Sequence, residues 1–118
     1  MINIYGIKTC STVRKAIKFC KDNELEHTFV DFRAVPLEEE KVKYFASKVA
    51  MNLLFNNRGQ KYRDLKLKEL NLDEAGKLEW LIKENMLFKR PVVEYTKEDE
   101  EKVLVSFNEE IYKEELLG

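Results

Sequence analysis

Cys10 stands in the run Lys8-Thr9-Cys10-Ser11-Thr12-Val13-Arg14, where a short apolar segment gives way to a helical pattern. A sulfur at such a strand-to-helix junction faces unpaired backbone N–H groups and the positive end of the helix dipole, and both favour a thiolate. Lys8 and Arg14 add positive charge nearby, and the hydroxyls of Ser11 and Thr12 are donors beside the anion. The chemistry this suits is nucleophilic attack by sulfur. Position alone fits equally well a small residue ending a strand, as free cysteines often are.

The other groups with chemical potential read more plainly. Cys20 lies ten positions further along the same helical pattern, about 15 Å away at roughly 1.5 Å rise per residue. No intrachain disulfide with Cys10 is expected without unfolding that helix. Cys20 falls on the apolar face with Val13, Ala16 and Ile17, so it is read as packing and not as a resolving thiol. His27 precedes a strand with no local cysteine or serine partner and is read as a surface residue. Trp80, among apolar neighbours, is expected in the core. Arg58, in the Gly-containing loop Asn56-Asn57-Arg58-Gly59, reads equally as an anion contact or a solvated cation.

The elements that must position Cys10 follow from periodicity. Met1 to Ile7 is short, apolar and β-branched, a strand signature, and Lys8 to Thr12 form a turn. From Cys10 or Ser11 the spacing of Val13, Ala16, Ile17 and Cys20 predicts a helix with Arg14, Lys15, Lys18 and Lys21 outside, ending at Asp22-Asn23. Thr28 to Phe32 predicts a second strand, which completes a βαβ unit with parallel strands. Pro36, followed by three glutamates, predicts a helix first turn, with Val42, Phe45 and Val49 as its buried stripe. After the polar break at 56–59 come the segment Tyr62 to Leu72 and a helix capped by Asp73 that carries Leu78, Leu81, Ile82 and Met86. Arg90-Pro91 introduces a strand, Val92 to Tyr95. The charged run through Lys102 predicts a solvated turn, and Val103 to Phe107 pairs back as a hairpin. Asn108 caps a last helix to Leu117. The expected architecture is one α/β domain over 1–118, with a helical insertion at about 36–88.

Composition narrows the function classes. The chain has 118 residues, 44% of them hydrophobic, enough for one sizeable core. Its 21 basic and 22 acidic residues nearly cancel to a formal charge of -1, so a nucleic acid or an anionic membrane is a disfavoured partner. The start lacks a basic, long apolar leader, and no apolar run approaches the roughly 18 residues of a membrane span, so a cytoplasmic protein is expected. Two cysteines and one histidine are too few for a four-ligand zinc site built from Cys and His alone, and too few for a disulfide framework.

The stretch Tyr5-Gly6-Ile7-Lys8-Thr9-Cys10-Ser11-Thr12-Val13-Arg14-Lys15-Ala16, with Asn57-Arg58-Gly59, Tyr62-Arg63-Asp64-Leu65 and Lys89-Arg90-Pro91-Val92-Val93, closely resembles the ArsC/Spx family over nearly the whole chain. The resemblance implies a thioredoxin-like fold with a helical insertion between two strand pairs. Members include glutaredoxin-linked arsenate reductases and Spx-type regulators that bind RNA polymerase. The resemblance also implies that Pro91 is cis and packs beside the nucleophile, which brings the Arg90 guanidinium near Cys10, where a planar cation suits an oxyanion or a glutathione carboxylate. Without the resemblance, Arg90 reads as a solvated charge opening a strand.

Departures from the family pattern shape the expected function. Spx-type regulators carry a Cys-x-x-Cys switch where this chain has Cys10, Ser11, Thr12 and Val13. Of the three oxyanion arginines of dedicated arsenate reductases, Arg90 matches one clearly and Arg58 a second loosely, while the third has no counterpart near Leu104 to Phe107. The expectation is a single-cysteine thiol oxidoreductase with Cys10 as nucleophile and Arg90, Pro91, Arg58, Thr12 and Arg14 around the substrate. It would use no metal or tightly bound cofactor, with glutathione or a glutaredoxin as redox partner and a small oxyanion or thiol as substrate. The rival expectation is an Spx-like regulator that binds RNA polymerase.

Overall fold

The structure, a computed structural model, describes residues 1–118. Its chain divides into two compact units, Met1–Val35 with Arg90–Gly118, and Pro36–Lys89.

In the first unit, β-branched residues at alternating positions make β1 (Ile2–Gly6), and the amphipathic run that follows makes α1 (Ser11–Asp22) and β2 (His27–Asp31). Strands β3 (Val92–Lys97) and β4 (Glu100–Val105) form a hairpin, and a short helix α6 (Glu109–Tyr112) runs into a wider turn at Lys113–Leu117. The sheet order is β2-β1-β3-β4, with β1 and β2 parallel and the other pairs antiparallel. This is the expected thioredoxin-like arrangement, a βαβ unit joined to a hairpin and a C-terminal helix.

Register fixes which face is covered. Phe29 pairs with Ile4, Ile4 with Val93, and Val93 with Leu104, so one row crosses the sheet on a single face. Onto that row α1 presses Val13, Ala16, Phe19 and Cys20, and α6 adds Tyr112. Burying each large apolar side chain contributes about 1.5–3 kcal/mol. Phe19 also meets Tyr112 edge to face at 5.6 Å between ring centres. Phe19 rather than Ile17 completes the buried stripe of α1; Ile17 is half-buried at its edge. On the other face, Asn3 and Tyr5 donate to Glu94 at 2.9 and 3.0 Å, a polar tie across β1 and β3.

The hairpin is longer than the sequence predicts. Pairing runs out to Lys97 opposite Glu100, with Thr96 opposite Glu101, and only Glu98 and Asp99 turn, at φ 52 and 65. Two left-handed central residues match the twist of the strands, and the opposed charges at its end support the ladder. One acid then ties the C-terminal turn down: Glu115 accepts from the Tyr95 hydroxyl and from Lys102 at 3.1 Å, with Lys97 at 3.5 Å. Those donors hold its carboxyl down at about 2, the Tyr95 hydroxyl most and Lys102 next.

The second unit holds α2 (Glu39–Lys48), α3 (Met51–Leu54), α4 (Gln60–Asp64) and α5 (Glu74–Lys83), with 3-10 turns at Leu67–Leu70 and Asn85–Leu87. Asp73 caps α5, accepting from Gly76 N–H at 2.7 Å. Three expectations need correction. Pro36 lies before α2 and not in its first turn, because the Leu37 N–H is taken by the buried Asn85 side chain at 2.8 Å and the helix starts after Glu38. Val49 ends α2 as its cap, half-buried, so only Val42 and Phe45 are sealed. Trp80 is half-buried with the Lys83 ammonium 5.3 Å from its ring, an arrangement in which the indole keeps one face for the cation. No helix is long and apolar enough to cross a membrane.

The Glu115 tie predicts an acid-dependent stability. Because its folded value lies below the ordinary 4.5, its contribution is present above that value and fades as the pH falls toward about 2. Glu115→Gln should therefore lower the melting temperature near neutral pH, and the gap to wild type should close over that acid window. A gap that stayed constant through it would contradict the assignment.

Candidate functional site

Cys10 is the N-cap residue of α1, in an extended conformation at φ -80 and ψ 126. Its N–H donates to Ile7 O at 3.2 Å, and its carbonyl accepts the first helical bond from Arg14 N–H at 3.1 Å. No side chain caps this end, so the N–H groups of Ser11, Thr12 and Val13 lack an intrahelical acceptor where the thiol stands. The side chain is half-buried, with its inner side packed on the core cluster. One glycine sets the approach of the helix: a Cβ on Gly6 would lie 2.6 Å from Val13 Cγ2.

A second set of bonds fixes the turn before Cys10. Asp31, at the end of β2, accepts from Lys8 N–H at 3.3 Å through one oxygen and from Arg33 N–H at 2.9 Å through the other. Desolvation pushes this carboxyl up, but the N–H donors of Arg33 and Lys8 and the Arg33 charge outweigh it and hold Asp31 below the usual carboxylate range. Arg33 then reaches across to Thr9, its Nη2 donating to Oγ1 at 3.1 Å. The loops after the two parallel strands are thereby linked on either side of their shared end.

From the opposite side comes the peptide Arg90-Pro91, which is cis. Because β3 runs antiparallel to β1 with Val92 opposite Tyr5, Pro91 and Arg90 fall at the level where β1 passes into the Cys10 turn. Pro91 is buried and Arg90 half-buried. Ser106, left-handed at φ 68 just beyond β4, donates its N–H to Pro91 O at 2.8 Å and accepts from the Tyr112 hydroxyl at 2.6 Å. Along this one edge of the sheet, following strand order, stand Arg33, Cys10, Arg90 and Ser106.

Of the other residues singled out from sequence, Thr12 is half-buried in the first turn of α1 and Arg14 is exposed beside it. Arg58 belongs to the Pro36–Lys89 unit and is exposed; its N–H donates to Asn56 Oδ1 at 3.0 Å and its carbonyl accepts from Arg63 at 2.7 Å. His27 is half-buried at the opposite end of the sheet, its Nδ1 2.8 Å from Leu25 O, out of reach of the Cys10 turn. Cys20 is fully buried, and burial pushes its thiol up. Asp31 and Arg33 escaped the sequence reading. Their signal was present: an acid closing a strand, two residues before a basic residue, at the carboxyl edge where parallel strands place their binding loops.

The arrangement offers a half-buried sulfur at a helix N-terminus, with one arginine in the loop after β2 and another just before β3. It can attack an electrophilic sulfur or oxyanion centre and hold a negative group beside it.

Comparison with known proteins agrees with this geometry. The ArsC family model matches residues 5–115. An uncharacterized protein of Bacillus subtilis, YusI, is 34% identical over 117 residues, 96% of each chain. The solution structure of SACOL0876 from Staphylococcus aureus is 34% identical over the full length of both chains, with a TM-score of 0.78. The crystal structure of a possible arsenate reductase from Streptococcus mutans is 26% identical over 92% of each chain, with a TM-score of 0.72.

Two outcomes follow from the site. Iodoacetamide should label Cys10 in the native protein well before Cys20, as peptide mass mapping will show; preferential labelling of Cys20 would contradict the burial. Gly6→Ala should cost about 1–3 kcal/mol in denaturant unfolding, because the stiff Val13 side chain cannot move away without shifting α1. Unchanged stability would mean that the helix approach is not fixed there.

Proposed function

The chain belongs to the ArsC family, and from that membership we propose that it is a thiol oxidoreductase with Cys10 as its nucleophile and glutathione as its redox partner. The observation that carries the reading is Cys10 itself, half-buried at the N-cap of a 12-residue helix, with Arg90-Pro91 arriving on the antiparallel neighbour of its strand.

In this reading the Cys10 thiolate attacks one sulfur of a disulfide. A Cys10–sulfur bond forms, the substrate S–S bond breaks, and the other sulfur departs as a thiolate with the electron pair and is protonated by water. A second thiol must then release Cys10. Cys20 cannot supply it, being fully buried ten residues along α1. The resolving thiol therefore comes from solution, as glutathione or the thiol of a glutaredoxin. The N–H groups of Ser11 and Thr12 stabilise the attacking and mixed-disulfide sulfur, and Arg90 holds a carboxylate of the incoming peptide. The route needs no resident metal or tightly bound cofactor.

Arsenate is the poorer electrophile for this site. The family resemblance implies three arginines around the oxyanion; Arg90 is the clear match, Arg58 a loose one, and the stretch Leu104 to Phe107 offers none. Each charge-assisted contact missing from such a site costs about 1.5–3 kcal/mol.

The test compares wild type, Arg90→Ala and Arg90→Lys in glutathione exchange at Cys10. The Ala variant should melt within a few degrees of wild type yet exchange about tenfold more slowly, since about 1.4 kcal/mol is one decade. Lysine should recover part of the rate, because it keeps the charge without the planar fork. Exchange at wild-type rate in the Ala variant would remove Arg90 from the site. Arsenate turnover by wild type, with glutathione and glutaredoxin supplied, should be weak or undetectable. Robust turnover would overturn the preference for sulfur.

A further inference from the structure

We propose that Arg33 is a second anion-contacting residue of the Cys10 site, on the side opposite Arg90, and that the site selects substrates carrying a carboxylate near the reacting sulfur. The proposal rests on Cys10 being the nucleophile and deepens that reading by naming what the substrate must bear.

The argument begins with the sheet. Strands β1 and β2 are parallel, so the loops that follow them emerge at the same end, and β3 begins at that end because it is antiparallel to β1. In the order β2-β1-β3 the residue after β1 is flanked on both sides. Cys10 occupies the middle loop, Arg33 the loop after β2, and Arg90 the start of β3. Ligands in open α/β sheets bind beyond the carboxyl ends of parallel strands, which is where this row lies.

The conformation of Arg33 adds the second observation. The Arg33 charge acts on the Asp31 carboxyl, but the guanidinium does not take its hydrogen bonds there. Here Asp31 receives the backbone N–H groups of Arg33 and Lys8, at 2.9 and 3.3 Å, and the guanidinium instead crosses to Thr9 Oγ1 at 3.1 Å. Thr9 immediately precedes Cys10. A guanidinium has five N–H donors in a planar fork, and the bond to Thr9 engages one nitrogen, leaving the other donors for an anion at the mouth of the site. The hydroxyl contact favours this side-chain placement, which lowers the entropy an anion must overcome when it binds. Asp31 is the one acid in this turn, and its oxygens point to backbone donors.

The substrate class follows from the two flanks. A peptide thiol or disulfide with a carboxylate on either side of its cysteine would meet Arg90 with one and Arg33 with the other, while its sulfur faces Cys10. Glutathione has this layout. A neutral disulfide of similar size would react with the same sulfur without using either cation.

The test uses the full chain and two alkylating agents that differ mainly in charge, iodoacetate and iodoacetamide, with labelling of Cys10 read by peptide mass mapping. Any change in the thiolate fraction moves both rates together and cancels in their ratio. At low ionic strength Arg33→Ala should lower the iodoacetate-to-iodoacetamide ratio by about threefold or more, and Arg33→Lys should restore part of it. High salt should shrink the difference, because the site is open to solvent. The same variants should lose exchange with glutathione disulfide while keeping exchange with the neutral 2-hydroxyethyl disulfide. An unchanged ratio in Arg33→Ala would overturn the proposal, and so would an equal fall in both alkylation rates, which would mark Arg33 as a structural brace of the turn. An Arg33-dependent alkylation ratio in a protein inert to every disulfide would support the cation assignment while refuting the thiol-exchange function.

Discussion

The closeness of α1 to β1 at Gly6 is the constraint on which the site depends. Val13 packs so tightly over this glycine that a single methyl group there would enter its van der Waals radius. The contact leaves four residues, Ile7 to Cys10, to lead the chain from the strand into the helix. It places the last of them at the N-cap, where the backbone donors are unsatisfied. A looser approach would let α1 slide on the Ile4–Val93 row and carry the sulfur away from the helix end. The packing of Val13, Ala16, Phe19 and Cys20 against the sheet is thus also the means by which Cys10 is positioned.

Around this fixed point the remaining strands supply charge. Each neighbour of β1 brings one arginine to the edge where β1 ends, and each arginine's loop is anchored by a hydrogen bond between elements distant in sequence. Asp31 ties the end of β2 to Lys8, and Ser106 ties the end of β4 to Pro91. Tyr112, fully buried, holds Ser106 in turn through its hydroxyl, so the C-terminal helix contributes both to the core and to the rim. Tyr112 and Glu115 act on opposite ends of the hairpin: one steadies the site edge, the other closes the far strands through Tyr95, Lys97 and Lys102. On the proposed function, cations presented from separate loops would suit a substrate that spans Cys10, such as a short peptide, better than a compact oxyanion needing several donors at one point.

What could be read from the sequence was local. The β-branched start, the stripe of α1 and the caps Asp73 and Asn108 each depend on residues within a few positions of one another, and each is found as expected. Cys10 at the strand-to-helix junction was legible for the same reason. The misreadings share a different cause. Pro36 was displaced from its helix by Asn85, 48 residues away from Leu37 in sequence, and the length of the hairpin was set by cross-strand pairing that a charged run conceals. Trp80 has apolar neighbours in sequence that predict a core position, yet it is half-buried with the Lys83 ammonium 5.3 Å from its ring. Asp31 and Arg33 carry only a weak local signal, an acid closing a strand two residues before a basic residue, because their partners Lys8 and Thr9 lie on the neighbouring strand's loop.

The central claim, that Cys10 is a nucleophile which exchanges with glutathione, is tested most directly by trapping the mixed disulfide. Native protein incubated with glutathione disulfide and quenched in acid should show one glutathione adduct by intact mass. Peptide mapping should place it on Cys10, and added glutathione should remove it. Cys10→Ser should carry none. An unmodified protein, or an adduct on Cys20 with Cys10 left free, would contradict the account.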